Sequence, residues 1–145
     1  MLVDNNSHEI FRSLLTDCWN RQGFKCPRYL TEYITQLLAA RIDRPDWQPK
    51  STYAEAYLKI RTPIQALELG NTCFFARSVF PEMGRRRGIP SEYFVELGQG
   101  CYGHVLSYNE QLPAVRQLYR AFEFVAEMTW TAVHSHGALR EFWDL

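Results

Sequence analysis

The sequence predicts an all-α protein, a single-domain irregular antiparallel bundle of six or seven helices. Three observations predict it. Apolar residues recur at the 3.6-residue helical period in segment after segment, no stretch alternates convincingly with period two, and helix-starting and helix-stopping residues punctuate the chain. The 145 residues, 46% hydrophobic and 22% charged, have an ordinary globular composition and suffice for one core, so 1–145 reads as one domain.

Taken in order, Ile10, Phe11, Leu14, Leu15 and Cys18 form a helical stripe after Ser7, with Gly23 as a stop. Pro27 suits a first helical position, and Leu30, Tyr33, Ile34, Leu37 and Leu38 make the next apolar face. Pro45 and Pro49 mark 43–50 as a loop, with Trp47 expected to fold back onto the bundle. Thr52 and Glu55 have capping-box spacing and open a short helix carrying Tyr53, Tyr57 and Ile60. Thr62-Pro63-Ile64-Gln65 is a stronger start: Thr62 caps, Pro63 fills a position whose N–H has no partner, and Gln65 reaches back. The helix it opens, running to about Val79, carries Ile64, Leu67, Leu69, Cys73, Phe74, Phe75 and Val79 almost all round, the pattern of a central helix.

Phe80-Pro81-Glu82 ends that helix, and a short helical turn runs to Arg87 before Gly88 and Pro90. Ser91 is expected to cap a helix bearing Tyr93, Phe94, Leu97, Cys101, Val105 and Leu106. Gly98, Gly100 and Gly103 inside it each cost about 1 kcal/mol relative to Ala, so something presses on this helix or it bends. Pro113 opens the longest periodic run, through Val115, Leu118, Phe122, Val125, Thr129, Ala132 and Val133. Gly137 stops it, and a tail with Leu139, Phe142 and Trp143 is apolar enough to dock.

One heptapeptide pattern occurs twice, Glu68-Leu69-Gly70-Asn71-Thr72-Cys73-Phe74 and Glu96-Leu97-Gly98-Gln99-Gly100-Cys101-Tyr102. Each copy sets Gly and Cys three positions apart on one helical face, a shallow notch where another backbone can come close. The pair is expected to form the packing centre of the domain.

Sixteen basic and 16 acidic residues cancel, which makes nucleic acid an unlikely partner and gives little repulsion against self-association. The first residues have no basic n-region or long apolar run, and the most apolar stretch, 73–80, is too short to span a bilayer. Four cysteines without the spacing of a secreted disulfide frame fit reduced thiols and a cytoplasmic protein.

Chemical candidates are few. Cys101-x-x-His104 puts two soft ligands on one face, and Cys73 joins them if the motif helices pair; the competing reading, buried small residues, is favoured and no metal is assigned. His134 and His136, two apart, point about 200° from each other on a helix, so the dipole at the helix C-terminus explains them better than a shared ion. Arg85-Arg86-Arg87 is the one dense basic cluster, suited to an anion or simply to a solvated edge. Glu68 and Glu96, equivalent in the two motif copies, become a carboxylate pair if the helices cross there. No phosphate loop, dinucleotide fingerprint, nucleophile elbow or zinc-protease signature occurs.

The ordered run Leu69-Gly70-Asn71, Phe74-Phe75, Phe80-Pro81-Glu82, Arg86-Arg87-Gly88-Ile89, Tyr93-Phe94, Leu97-Gly98 and Tyr102-Gly103 resembles a family of small uncharacterised bacterial proteins. Its members carry the pattern Leu-Gly-Asp, Leu-Phe, Phe-Pro-Glu, Arg-Gly-Val, Tyr-Tyr, Gly, Ala-Tyr. The resemblance marks no particular reaction, and no cofactor is assigned. The chain departs from it at Asn71, where an acid is commoner, and at Cys73 and Cys101, where aliphatic residues or alanine are usual, which suits packing better than a thiol site.

Two functions therefore stand: a non-catalytic binding or regulatory module recognising a protein (a homo-oligomer included) or a small ligand, and a small enzyme or metal protein using Cys73, Cys101, His104, Glu68 and Glu96. The first is favoured on ring content, absent catalytic signatures and neutral charge. Nucleic-acid binding through Arg85 to Arg87 is the weakest reading.

Overall fold

The computed structural model describes residues 2–135. They form seven helices and no strand: α1 Leu2–Arg21, α2 Arg28–Ile42, α3 Tyr53–Leu58, α4 Pro63–Val79, α5 Pro81–Arg86, α6 Ser91–Tyr108 and α7 Pro113–His134. His136, Gly137, Leu139, Phe142 and Trp143 lie outside the described residues. None of the described helices is long and apolar enough to cross a membrane.

Local chemistry sets most boundaries. At α4 the full capping box forms: the Thr62 hydroxyl accepts from the Gln65 N–H at 3.2 Å, and the Gln65 side chain accepts from the Thr62 N–H at 3.2 Å. Thr52 caps α3 in the same way, accepting from the Glu55 N–H at 3.1 Å. Gly23 and Gly88 end α1 and α5 at φ of +72° and +76°, the left-handed region that glycine enters at no steric cost. Two starts fall one residue away from the sequence reading. Pro27 and Pro90 are themselves the N-caps of α2 and α6, so Ser91 is the first helical residue and makes no capping bond.

Helix α4 is central, as its all-round apolar sequence predicts. Eleven of its 17 residues are buried, and it packs against α2, α3, α5, α6 and α7. Ile64 and Ile10 depart from the expected core, at 78% and 44% exposed: Ile64 is the second residue of α4, and Ile10, well inside α1, falls at the edge of the face that Phe11, Leu14, Leu15 and Cys18 bury.

The repeated heptapeptide forms the contact between α4 and α6. A methyl group added to Gly70 would lie 3.2 Å from the Cβ of Cys101, and one added to Gly98 would lie 3.2 Å from the Cβ of Cys73. Each glycine thus receives the cysteine of the other copy, and the two helices run antiparallel almost in backbone contact. Rings fill the space beside the notches. Tyr102 lies over Gly70 and Phe122, from α7, over Gly98, where an added Cβ would meet the ring at 2.4 Å. Pressure from neighbours, and not a bend in α6, therefore accounts for its buried glycine.

The bend falls in α7 instead. Ala121 has non-helical φ −130° and ψ 35°, just before Phe122 enters the Gly98 notch. Gln99 Nε2 of α6 donates to the Tyr119 carbonyl at 3.0 Å beside the kink. Trp19 Nε1 donates to the Met128 carbonyl at 3.0 Å and ties α1 to the second half of α7. Between α2, α4 and α6, Asn71 Oδ1 accepts from the Tyr33 and Tyr102 hydroxyls at 2.9 and 2.7 Å.

Candidate functional site

The residues singled out from the sequence separate into three places. Cys73 and Cys101 do come together at the notches and are fully buried. Burial pushes the Cys101 thiol up to about 12 and raises Cys73 well above its ordinary value, so both are protonated at neutral pH and poor nucleophiles or ligands. His104 points away toward Tyr108, ring centroids 5.4 Å apart, and its Nε2 is buried without a hydrogen bond. Among the described residues no three His, Cys, Asp or Glu side chains converge as a metal site needs.

The glutamates do not pair. Because the crossing is antiparallel, Glu68 and Glu96 lie on opposite sides of it, about 10 Å apart along the helix axes at 1.5 Å per residue. Glu68 instead accepts from Arg41 of α2 at 2.7 Å, and Glu96 is exposed. The helices do cross at the motif, as the carboxylate pair required, but only a parallel crossing would bring equivalent positions of the two copies together.

The arginine run divides three ways. Arg85 Nη1 donates to Glu82 one turn back at 2.6 Å. Arg87 reaches Gln48 at 3.4 Å, and the same Gln48 oxygen accepts from the Tyr53 hydroxyl at 3.3 Å, so Arg87 helps hold the loop between α2 and α3. Arg86 turns the other way, into a cleft.

That cleft, about 710 Å³, is the candidate functional site. It opens where the α2–α3 loop, the junction of α4 with α5, and the end of α7 meet. One wall is built on Trp47, which stacks on Phe80 at 5.6 Å and 15° and meets Phe75 edge-on at 5.0 Å. The loop prolines and the Gln48 anchor place it there, as its sequence setting suggests. The other wall is Trp130, stacked on His134 at 4.8 Å and 27°. His134 Nε2 donates to the Val79 carbonyl at 2.9 Å, satisfying one of the last carbonyls of α4. Its role thus extends beyond the dipole of its own helix and locks the second wall to the first. Met83 lines the cleft between them, and Asp43, Arg44, Glu82 and Arg86 supply its charges.

Two other hollows are less suited. The one between α1 and α2, about 650 Å³, has its Arg12 already bound to Glu32 at 2.7 Å. The one beside Gly100, Gly103 and Tyr119, about 470 Å³, is shallow and carries a single charged side chain, Arg120.

Sequence reasoning missed Trp130 as a site residue. Trp130 lies off the stripe that α7 buries and remains 43% exposed. Exposure alone does not single it out, since Tyr119 and Phe124 of the same helix are at least as exposed; what distinguishes Trp130 is its place in the cleft, which only the fold shows. No family model, curated protein or solved structure matches the chain.

Proposed function

We propose that the protein is a non-catalytic cytoplasmic binding module whose cleft between Trp47 and Trp130 holds a small ring-containing ligand. The half-exposed Trp130 ring in a cleft whose other wall is a Trp47–Phe80 stack carries this reading. A hollow of about 710 Å³ is in the range that takes a small molecule, with apolar walls and a few polar groups at the rim. Four free cysteines fit a reducing compartment. The catalytic and metal alternative gains nothing from thiols that burial keeps protonated.

The test is a ligand-observed NMR screen of neutral and charged aromatic fragments against the protein and Trp130→Ala. Fragments that bind the wild type should lose most of their affinity for the variant, which should keep its helical content because the ring is half outside the core. Equal binding by both proteins, or binding by neither, contradicts the reading.

A further inference from the structure

The charges around the cleft are not all accounted for by the protein itself. Glu82 is occupied by Arg85 at 2.6 Å, and Arg44 approaches Asp46 at 3.7 Å. Arg86 and Asp43 are left: both are exposed at the cleft, and neither has a hydrogen-bond or ion-pair partner for its side chain among the described residues. Asp43 is also unexplained by its helix. It is the C-cap of α2, where the macrodipole favours a cation and disfavours a carboxylate. The two unpaired groups are of opposite sign and flank walls made of rings.

We infer that the cleft selects an aromatic zwitterion, an aromatic amino acid being the simplest case, with its ring between Trp47 and Trp130, its carboxylate toward Arg86 and its ammonium toward Asp43. This rests on the proposed binding role of the cleft and adds the ligand's charge pattern to it. A planar guanidinium suits a carboxylate through paired N–H donors, and a carboxylate suits an ammonium as a hydrogen-bond acceptor. A ligand of one sign would leave the other rim charge unmatched. Neutral aromatic ligands would gain the ring contacts alone.

Three probes separate the contributions: L-phenylalanine, L-phenylalaninamide, which lacks the anion, and N-acetyl-L-phenylalanine, which lacks the cation. Titration calorimetry or ligand-observed NMR should find phenylalanine the tightest, by roughly threefold or more over each analogue, as expected for ion pairs at a solvated rim. Arg86→Gln should abolish the preference over the amide and keep the preference over the N-acetyl compound. Asp43→Asn should do the reverse. If all three probes bind and Trp130→Ala weakens them, but phenylalanine is not preferred, the charge assignment is overturned and the binding cleft stands. If none of the three binds, the charge assignment is overturned, and if no neutral aromatic fragment binds either, the binding cleft falls with it. A preference that survives both rim substitutions also overturns the assignment.

Discussion

At the residue scale, the contact between α4 and α6 turns on glycines whose missing side chain another group occupies. Gly98 and Gly100 are two residues apart on one helix yet should respond oppositely to the same change. A Cβ at Gly98 would lie 2.4 Å from the Phe122 ring, itself buried and unable to withdraw. Gly98→Ala should therefore destabilise by about 1 to 3 kcal/mol. A Cβ at Gly100 would meet nothing nearer than the Tyr57 hydroxyl at 3.4 Å, an ordinary contact. Gly100→Ala should stabilise by up to about 1 kcal/mol, the helix-propensity difference. Urea unfolding of the two variants reads both signs; destabilisation of equal size at both sites would mean that the notches are not where α6 touches its neighbours. The repeat in the sequence announced these notches, since Gly and Cys at i and i+3 share a face. It did not announce the direction of crossing, and so the glutamates two residues before each glycine, Glu68 and Glu96, come out on opposite sides.

At the scale of elements, start and stop chemistry was legible wherever a side chain itself makes the cap. Thr62 with Gln65 and Thr52 with Glu55 behave as their spacing predicts. Ser91 does not, because Pro90 ahead of it takes the extended N-cap conformation and shifts the helix by one residue. Thr62→Ala should accordingly cost about 1 kcal/mol through the lost cap. Ser91→Ala should be neutral within about 0.5 kcal/mol, because no capping bond is broken. Thermal unfolding of the two variants distinguishes these outcomes, and a comparable loss at Ser91 would contradict the cap assignment. The kink in α7 had no sequence signal. Neither Gly nor Pro occupies Ala121, and the distortion accompanies two contacts made by a distant helix, Phe122 in the Gly98 notch and Gln99 on the Tyr119 carbonyl. The cleft was illegible for a related reason. Trp47, Phe80, Arg86 and Trp130 come from separate segments, and only the packing of α4 between α2 and α7 brings them together.

For the whole molecule, burial of titratable groups gives the core a definite dependence on pH. Desolvation raises Cys73, Cys101, Tyr33, Tyr53 and Tyr102, each favouring its neutral form in the folded protein. In the unfolded chain the thiols ionise near their ordinary 9.0 and the tyrosines near 10.0. Above those values the unfolded state binds fewer protons than the folded state, so stability falls as pH rises. The contribution of Cys101 is complete below pH 9.0 and is lost progressively toward about 12. The urea midpoint should be lower at pH 10.5 than at pH 8, and an unchanged midpoint would mean that these groups are not sealed from water.

The same core fixes the two tryptophans of the cleft on separate elements while Trp19 stays inside, its indole donating to Met128 at 3.0 Å. The most direct measurement is therefore the set of tryptophan indole N–H resonances during titration with an aromatic fragment. The largest shifts should fall on Trp47 and Trp130, with Trp19 moving least. Shifts greatest at Trp19, or no shift at either cleft tryptophan while the fragment binds, would show that the ligand goes elsewhere and that this cleft is not the binding site.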